Sequence, residues 1–375
     1  MRKASFRTER PARGTVLLSY ITEPFFTSKG RSVFSTHSHH WEAVQIVRTY
    51  LDLGFNVDVI HYLNRWFRPR KRYDVVVDAR FNLERLGPRL APECIKIFHI
   101  DTCHMLFQNT AELRRLEQLQ RRRGVTLVPR RHERLNHGIE HADHGVVLGN
   151  AHTMATFRYS GKPLHPVPVS TPQGYPSPDG KDIEHARRRF IWLSRGGLVL
   201  KGLDRVLEVF AALPDHHLTV CAPVDQEPDF AAAFHQELYA SPNIHTLGWV
   251  DVSSPAFAEL LRESIGIVYP AGSESQSTSV INCLHAGLIP IVTREAGLDV
   301  TPEFGVMLAD DDIDTVREAV TTLSARPAAE LEAMASAAWT FARANHSRES
   351  FATAYRAAME AILGAAGPLP SSEVA

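Results

Sequence analysis

Short apolar runs alternate with amphipathic segments along most of this chain. The runs are too short for core helices, and between them apolar residues recur at helical spacing, as at Val44, Val47 and Leu51. This order predicts an α/β fold with parallel sheets, because strands covered by helices on both faces are apolar throughout. The predicted strands are 15–20, 56–61, 74–78, 95–100, 145–148, 190–193, 218–222, 245–247, 265–269, 288–292 and 305–308. Helices are predicted at 41–53, 110–123, 312–323, 328–344 and 350–363.

A stretch rich in proline and glycine divides the chain. Six prolines and three glycines fall between Gly161 and Lys181, a composition typical of a connection between domains. The two ends of the chain lack the alternating pattern and are predicted to be disordered. The predicted organisation is a disordered N-terminus at 1–13, a first domain at 14–165, a linker at 166–188, a second domain at 189–349 and a disordered tail at 367–375.

Composition limits the class of protein. The chain has 375 residues, of which 44% are hydrophobic and 22% charged, enough for two ordinary cores. Its net charge of −1 gives no reason to expect nucleic acid as a partner. No apolar run reaches the roughly 18 residues of a membrane span, and the polar N-terminus does not resemble a signal peptide. The four cysteines lie far apart in the sequence, which fits a reducing compartment, so we expect a cytoplasmic protein.

The stretch 265–292 combines a strand, a loop of small polar residues and a helix start. The free N–H groups of a first helical turn and the helix dipole together favour an anion. Thr278 and Ser279 have small side chains, so a phosphate can approach the backbone closely. Glu274 lies at the mouth of this loop, where it suits a sugar hydroxyl better than a phosphate.

A second group of polar residues follows the strand at 190–193. Arg195 and Lys201 are six positions apart across two glycines and can converge on one diphosphate, the arginine as a fork and the lysine as a point charge. Ordinary turn chemistry is the alternative interpretation. The segment is not a P-loop, because no Gly-Lys-Ser/Thr follows the glycines.

Taken in order, these motifs resemble retaining glycosyltransferases of family 4, which have the GT-B fold. The resemblance implies two Rossmann-like domains that face each other across a cleft, with a C-terminal helix at 350–366 crossing back to the first domain. It implies that Glu274 contacts the transferred sugar and that Arg195 and Lys201 bind the donor diphosphate. The family has a second glutamate on the ribose, eight positions further on. This chain has Asn282 there, which can still hydrogen-bond a ribose hydroxyl but carries no charge.

The resemblance also assigns residues at other strand ends. His99 matches a histidine that lies under the reacting sugar carbon in the family, although a buried strand-end histidine is the simpler alternative. Two strand ends of the second domain are expected to bracket the nucleotide base, through Pro223, Trp249 and Val250. The expected acceptor side consists of polar residues at or after the first-domain strands, namely His37, His39, Arg80, Asp101 and His104.

Two clusters admit more than one interpretation. The run 37–40, His-Ser-His-His, could hold a metal, but no carboxylate or cysteine at ligand spacing completes a set, so a helix-capping loop is favoured and no metal site is predicted. The arginine-rich segment 114–134 is typical of a solvated face. Alternatively, it could give the protein peripheral contact with the inner, anionic face of a membrane that carries a lipid acceptor.

The sequence therefore predicts a glycosyltransferase that needs no metal or other cofactor. It would transfer a sugar, with retention, from a nucleotide-diphosphate sugar to a hydroxyl of a glycan, a lipid or a small molecule. The sequence leaves open whether the base is of the UDP or the GDP type. Two alternatives remain: a GT-B sugar-nucleotide epimerase, and a non-catalytic nucleotide-sugar or glycan-binding protein, for which Asn282 is the main argument.

Overall fold

A computed structural model of the chain describes residues 3–9, 11–26, 38–171 and 174–365. Contacts divide the chain into two compact units, each built around one sheet. The first unit comprises Met1–Thr102, Arg134–Pro172 and Ser347–Ala375. The second unit comprises Cys103–Glu133 and Gln173–His346.

The described strands are close to those that the apolar runs predict. They are β1 Ala4–Phe6, β2 Gly14–Tyr20, β3 Phe55–His61, β4 Val75–Asp78, β5 Ile95–Ile100, β6 His144–Leu148, β7 Leu164–Val167, β8 Arg189–Leu193, β9 His217–Cys221, β10 Ile244–Thr246, β11 Gly266–Tyr269, β12 Ile289–Val292 and β13 Val306–Met307.

The described helices cover the amphipathic segments. They are α1 Ser38–Asp52, α2 Asn82–Leu86, α3 Met105–Arg123, α4 Ala151–Ala155, α5 Ile183–Ala186, α6 Leu203–Ala211, α7 Pro228–Ala233, α8 His235–Ala240, α9 Pro255–Arg262, α10 Thr278–Leu284, α11 Ile313–Ser324, α12 Ala328–Asn345 and α13 Arg348–Ala365. The last helix, α13, groups with the first unit, as the resemblance implied.

The sheet of the first unit has the order β1-β3-β2-β4-β5-β6-β7, and every described pairing except β1 with β3 is parallel. Its central strand β4 is buried along its whole length, as the unbroken apolar run predicts. The edge strand β7 lies where the sequence indicated only a linker. Pro166 at its third position hid it, because proline cannot donate to a sheet ladder and is accepted mainly on edge strands.

The N-terminal segment corrects the prediction of disorder over residues 1–13. Residues 4–6 form β1, which pairs antiparallel with β3. The attachment depends on the buried carboxylate of Asp58, which accepts hydrogen bonds from Ser5 Oγ and Tyr73 Oη at 2.7 Å each. Lys3 and Lys71 lie 3.1 Å and 3.0 Å from the same carboxylate. These partners are 13 or more residues apart from Asp58 in sequence, so no local pattern indicates them.

This carboxylate makes stability depend on pH. Burial alone would raise the pKa of Asp58, but the four hydrogen bonds outweigh burial and hold the pKa well below its usual range. A depressed carboxyl pKa stabilises the fold fully above the unfolded-state pKa of about 3.9, and this stabilisation is lost as the pH falls below that value. Asp58→Asn should lower the free energy of unfolding by about 2 kcal/mol at pH 7. The deficit should shrink below pH ~4.

Urea unfolding followed by circular dichroism from pH 7 to pH 3 measures this effect. Asp52→Asn is the matched control, because the Asp52 side chain is exposed and pairs with Arg356 at the surface. A deficit for Asp58→Asn that stays the same at every pH would contradict the linkage.

The sheet of the second unit has the order β10-β9-β8-β11-β12-β13, and all its described pairings are parallel. From β8, the chain adds β9 and β10 on one side of the sheet. It then returns to the other side of β8 and adds β11, β12 and β13. The order therefore reverses between β8 and β11. In open parallel sheets, ligands bind beyond the carboxyl ends of the strands at this reversal.

Within 103–133 the arginine-rich segment groups with the second unit, and several of its arginines contact carboxylates there. Arg115 is buried, with Nε 2.8 Å from Asp311 and Nη2 donating to the carbonyl of Pro270 at 2.7 Å. Further cations of this segment form ion pairs at 2.6–2.7 Å, namely Arg122 with Asp204, Arg123 with Glu237 and Arg130 with Asp229. Of these four arginines, one is held by burial and three are paired with carboxylates of the second unit.

Candidate donor site in the second unit

The loops after β8 and β11 meet at the reversal point of the second sheet. Gly202, which precedes α6, has a positive φ of 80°, and a Cβ there would lie 2.5 Å from the carbonyl oxygen of Pro270. Only glycine therefore allows this approach. Because Lys201 precedes Gly202 and Glu274 follows Pro270, the close approach brings together two residues that are 73 positions apart in sequence.

Lys201 and Glu274 form an ion pair, with Nζ 2.9 Å from Oε1. The hydroxyl of Tyr269, the last residue of β11, donates to the same oxygen at 2.9 Å. Trp192 contacts both residues that donate to Glu274. Its ring stacks on Tyr269, and its Nε1 donates to the carbonyl of Lys201 at 3.3 Å. The sequence predicted both charged residues in this site but not their pairing.

Burial and pairing shift both pKa values. Burial lowers the pKa of Lys201, and the attraction of Glu274 only partly compensates. Burial alone would raise the pKa of Glu274, but the charges of Lys201 and Arg131 and the hydrogen bonds from Lys201 and Tyr269 outweigh it. The net pKa of Glu274 is therefore lowered, and the site holds a carboxylate.

Arg195 is six positions from Lys201 in sequence, in the loop after β8, and is itself exposed. Its side chain makes no hydrogen bond or ion pair within the part of the chain that the structure describes. The loop itself is held from below by Glu227, whose carboxylate accepts the N–H groups of Gly197 at 2.5 Å and Leu198 at 3.3 Å. Sequence reasoning missed Glu227, because nothing in its local pattern distinguishes it from a surface glutamate.

The start of α10 is ordered as the small-residue loop predicts. Ser277 is the N-cap, and its hydroxyl accepts the N–H of Val280 at 3.4 Å. Thr278 and Ser279 occupy the first turn and are partly exposed. Gly297, with φ of 74°, supports the loop from behind, because a Cβ there would lie 1.9 Å from a backbone oxygen of the loop.

The residues assigned to the nucleotide lie at three different places in the same unit. Pro223 is buried just after β9, whereas Trp249 follows β10 with its indole 60% exposed. Val250 beside it is half-buried. Asn282 lies within α10 and is 6% exposed.

The first unit gathers several predicted acceptor residues near His99. Arg80 Nη1 lies 2.6 Å from Asp101 Oδ1, and His39 Nδ1 lies 2.8 Å from Glu42 Oε2. Burial alone would lower the pKa of His39, but Glu42 outweighs it and raises the pKa. Burial alone would raise the pKa of Asp101, but Arg80 contributes most to lowering it.

His99 itself is buried among rings. Its imidazole packs edge-on against Tyr20 at 5.0 Å and Tyr355 at 6.4 Å between ring centroids. Neither ring nitrogen has a hydrogen-bond partner among the described residues. Burial lowers the pKa of His99 to about 4, so the ring is neutral at pH 7. The sequence did not indicate Tyr20, because an apolar run containing a tyrosine is typical of any buried strand.

The remaining two predicted acceptor residues are His104 and His37. His104 belongs to the second unit, where Nδ1 accepts the N–H of Leu106 at 3.4 Å and caps α3. A polar residue before a helix is typically a cap, and here that role accounts for the position of His104. His37 lies outside the described residues.

Among the residues that the structure describes, no three His, Cys, Asp or Glu side chains lie together as a metal site requires. Within the same ranges, no helix is both long and apolar enough to cross a membrane.

The sequence matches no protein-family model and no curated protein. The fold, in contrast, is similar to solved structures of GT-B glycosyltransferases. Sucrose-phosphate synthase from Thermosynechococcus elongatus superposes with a TM-score of 0.65 at 12% identity, over 94% of this chain and 99% of that chain. The α,α-trehalose 6-phosphate synthase from Burkholderia multivorans gives 0.60 at 11% identity, over 94% and 98%.

A third similar structure is Anabaena Alr3699/HepE in complex with UDP and glucose, with a TM-score of 0.57 at 10% identity, over 94% and 99%. These likenesses show the fold. The protein has the GT-B fold with two Rossmann-like domains, as the sequence predicted.

Proposed function

We propose that this protein is a glycosyltransferase that transfers a sugar from a nucleotide-diphosphate sugar to a hydroxyl acceptor. The observation that carries the proposal is the Lys201–Glu274 pair at the reversal point of the second sheet. The pair places a cation suited to a phosphate and a carboxylate suited to sugar hydroxyls within one hydrogen-bond distance. The solved HepE complex, which has the same fold, contains UDP and glucose and supports this class of donor.

Donor binding would break the Lys201–Glu274 ion pair, and each residue would then contact a different part of the donor. Lys201 would turn toward the diphosphate, and Glu274 would then accept hydrogen bonds from the sugar. Arg195, which has no partner within the described residues, would bind the same diphosphate as a fork. The N–H groups of Thr278 and Ser279 would add partial positive charge.

These groups would also supply the catalysis. When the glycosidic bond to the diphosphate breaks, negative charge grows on the leaving oxygen, and cations already in place stabilise it most at that point. This assignment makes a metal unnecessary. We propose retention of anomeric configuration and kinship with family 4, because the order of Arg195, Lys201 and Glu274 is that of the family. No side chain is assigned as a nucleophile.

The remaining predicted residues receive supporting roles. Trp249, with its exposed indole, and Pro223 and Val250 would contact the base. Asn282 would hydrogen-bond the ribose. In the first unit, His39, Arg80 and Asp101 would contact a hydroxyl acceptor, whether glycan, lipid or small molecule, and neutral His99 would lie behind them.

A screen of UDP-, GDP- and ADP-sugars by thermal shift tests the donor class. At least one series should raise the melting temperature in proportion to the logarithm of ligand concentration. Turnover should then require an acceptor and should persist in EDTA. Donor turnover without any acceptor would favour an epimerase, binding without turnover would favour a non-catalytic binding protein, and no stabilisation by any series would contradict the proposal.

A further inference from the structure

The segment 103–133 follows β5 of the first sheet in sequence, yet its contacts place it in the second unit. Buried Arg115 donates to the carbonyl of Pro270, and the thiol of Cys103 donates to the carbonyl of Glu274 at 3.1 Å. Both acceptors lie in the loop that carries the Glu274 carboxylate. This segment therefore helps to build the candidate donor site, a role that its sequence did not indicate.

The end of the segment is anchored at Arg131. The buried carboxylate of Glu112 accepts the N–H groups of Arg130 at 2.7 Å and Arg131 at 2.6 Å. Buried Gln108 donates to the carbonyl of Arg131 at 2.7 Å. Glu112 and Gln108 thus fix both the N–H and the carbonyl of Arg131, while Arg131 itself remains exposed.

The Arg131 side chain lies over the glycine loop of the site. A Cβ at Gly197 would lie 2.4 Å from Cγ and 2.8 Å from Cδ of Arg131, and Gly197 has a positive φ of 75°. The carbonyl of Gly197 accepts the N–H of Lys201 at 3.0 Å, so the arginine lies next to the turn that carries the site lysine. Within the described residues its guanidinium has no hydrogen bond or ion pair.

We infer that Arg131 binds the donor diphosphate as a third cation, together with Arg195 and Lys201. The inference rests on the proposed function. A diphosphate carries more than one negative charge, whereas the charge of Lys201 is partly offset by Glu274. An arginine whose backbone is fixed and whose stem packs on Gly197 loses less freedom than a free surface arginine when its fork engages a phosphate. Consistent with its position, its charge contributes to the lowered pKa of Glu274.

The simpler interpretation is a surface arginine that only packs its stem on Gly197. Three variants separate the two interpretations. Arg131→Met keeps an unbranched stem over Gly197 but removes the charge, and Arg131→Lys keeps the charge but removes the fork. Arg121→Ala is the matched control, because it removes an arginine of the same segment whose side chain is 76% exposed and pairs with Glu117 one helical turn away.

Isothermal titration of each purified full-length variant with UDP, GDP and inorganic pyrophosphate measures the effect. Arg131→Met should weaken binding of the preferred nucleoside diphosphate roughly tenfold, Arg131→Lys by less, and Arg121→Ala by under about twofold. Pyrophosphate affinity should fall in parallel, because the lost contact is to phosphate. The melting temperature of Arg131→Met should equal that of the unmodified protein, because the methionine stem keeps the packing on Gly197.

The outcomes separate this inference from the proposal on which it rests. If the unmodified protein binds a nucleoside diphosphate and Arg131→Met binds it equally well, the role of Arg131 is wrong and the proposed function stands. If the unmodified protein binds neither a nucleoside diphosphate nor pyrophosphate, both are wrong. If Arg131→Met and Arg121→Ala weaken binding equally, the loss of any surface cation explains the effect, and the inference is also wrong.

Discussion

Replacing Glu274 by glutamine should lower turnover by about 100-fold or more while leaving nucleoside diphosphate binding intact or slightly tighter. Glutamine keeps the shape and one oxygen acceptor but removes the charge that strengthens hydrogen bonds to the sugar. The same change frees Lys201 from its 2.9 Å ion pair, so a diphosphate no longer competes with a carboxylate for it. Opposite effects on turnover and on binding are the specific expectation.

Steady-state turnover with the donor found by the screen, together with titration calorimetry of the nucleoside diphosphate, measures both effects. Glu263→Gln is the matched control, because Glu263 is exposed at the end of α9 and lies outside the site. Retained turnover in Glu274→Gln would remove this residue from the reaction. Loss of turnover together with loss of nucleotide binding would indicate a structural defect instead.

Replacing Lys201 by alanine should weaken nucleoside diphosphate binding at least tenfold, since a charge-assisted contact of about 1.5–3 kcal/mol is lost. The substitution also leaves Glu274 beside the phosphates without its nearest cation, so repulsion adds to the loss. Calorimetry measures the change. Arg262→Ala is a suitable control, because it removes a cation of the same unit that pairs with Glu259 at the surface.

The pH dependence of binding gives an independent check on Lys201. Burial lowers its pKa, so its positive charge is full well below that pKa and is lost as the pH rises through it. Affinity for the diphosphate should therefore begin to fall at a lower alkaline pH than an ordinary lysine would give. Lys201→Arg should remove this fall while restoring most of the affinity. Unchanged affinity in Lys201→Ala would exclude the lysine from the diphosphate site.

The second sheet could be predicted well because its signals are local. Each strand is a short apolar run, and the loops around Lys201 and Glu274 are marked by glycines and small polar residues whose spacing depends only on neighbours in sequence. The first unit was harder. Strand β7 contains a proline, and β1 is attached through side chains far along the chain.

The sequence by itself determined the α/β class, the strand order of appearance and the residue types at the strand ends, because hydrophobic periodicity and turn chemistry act over a few residues. Only the tertiary structure decided that Lys201 pairs with Glu274 and that Glu227 holds the glycine loop. It also decided that Arg131, from a segment between two strands of the other sheet, lies over Gly197. Such contacts join residues 30 to 73 positions apart, and the topology of the sheet, not the local pattern, brings them together.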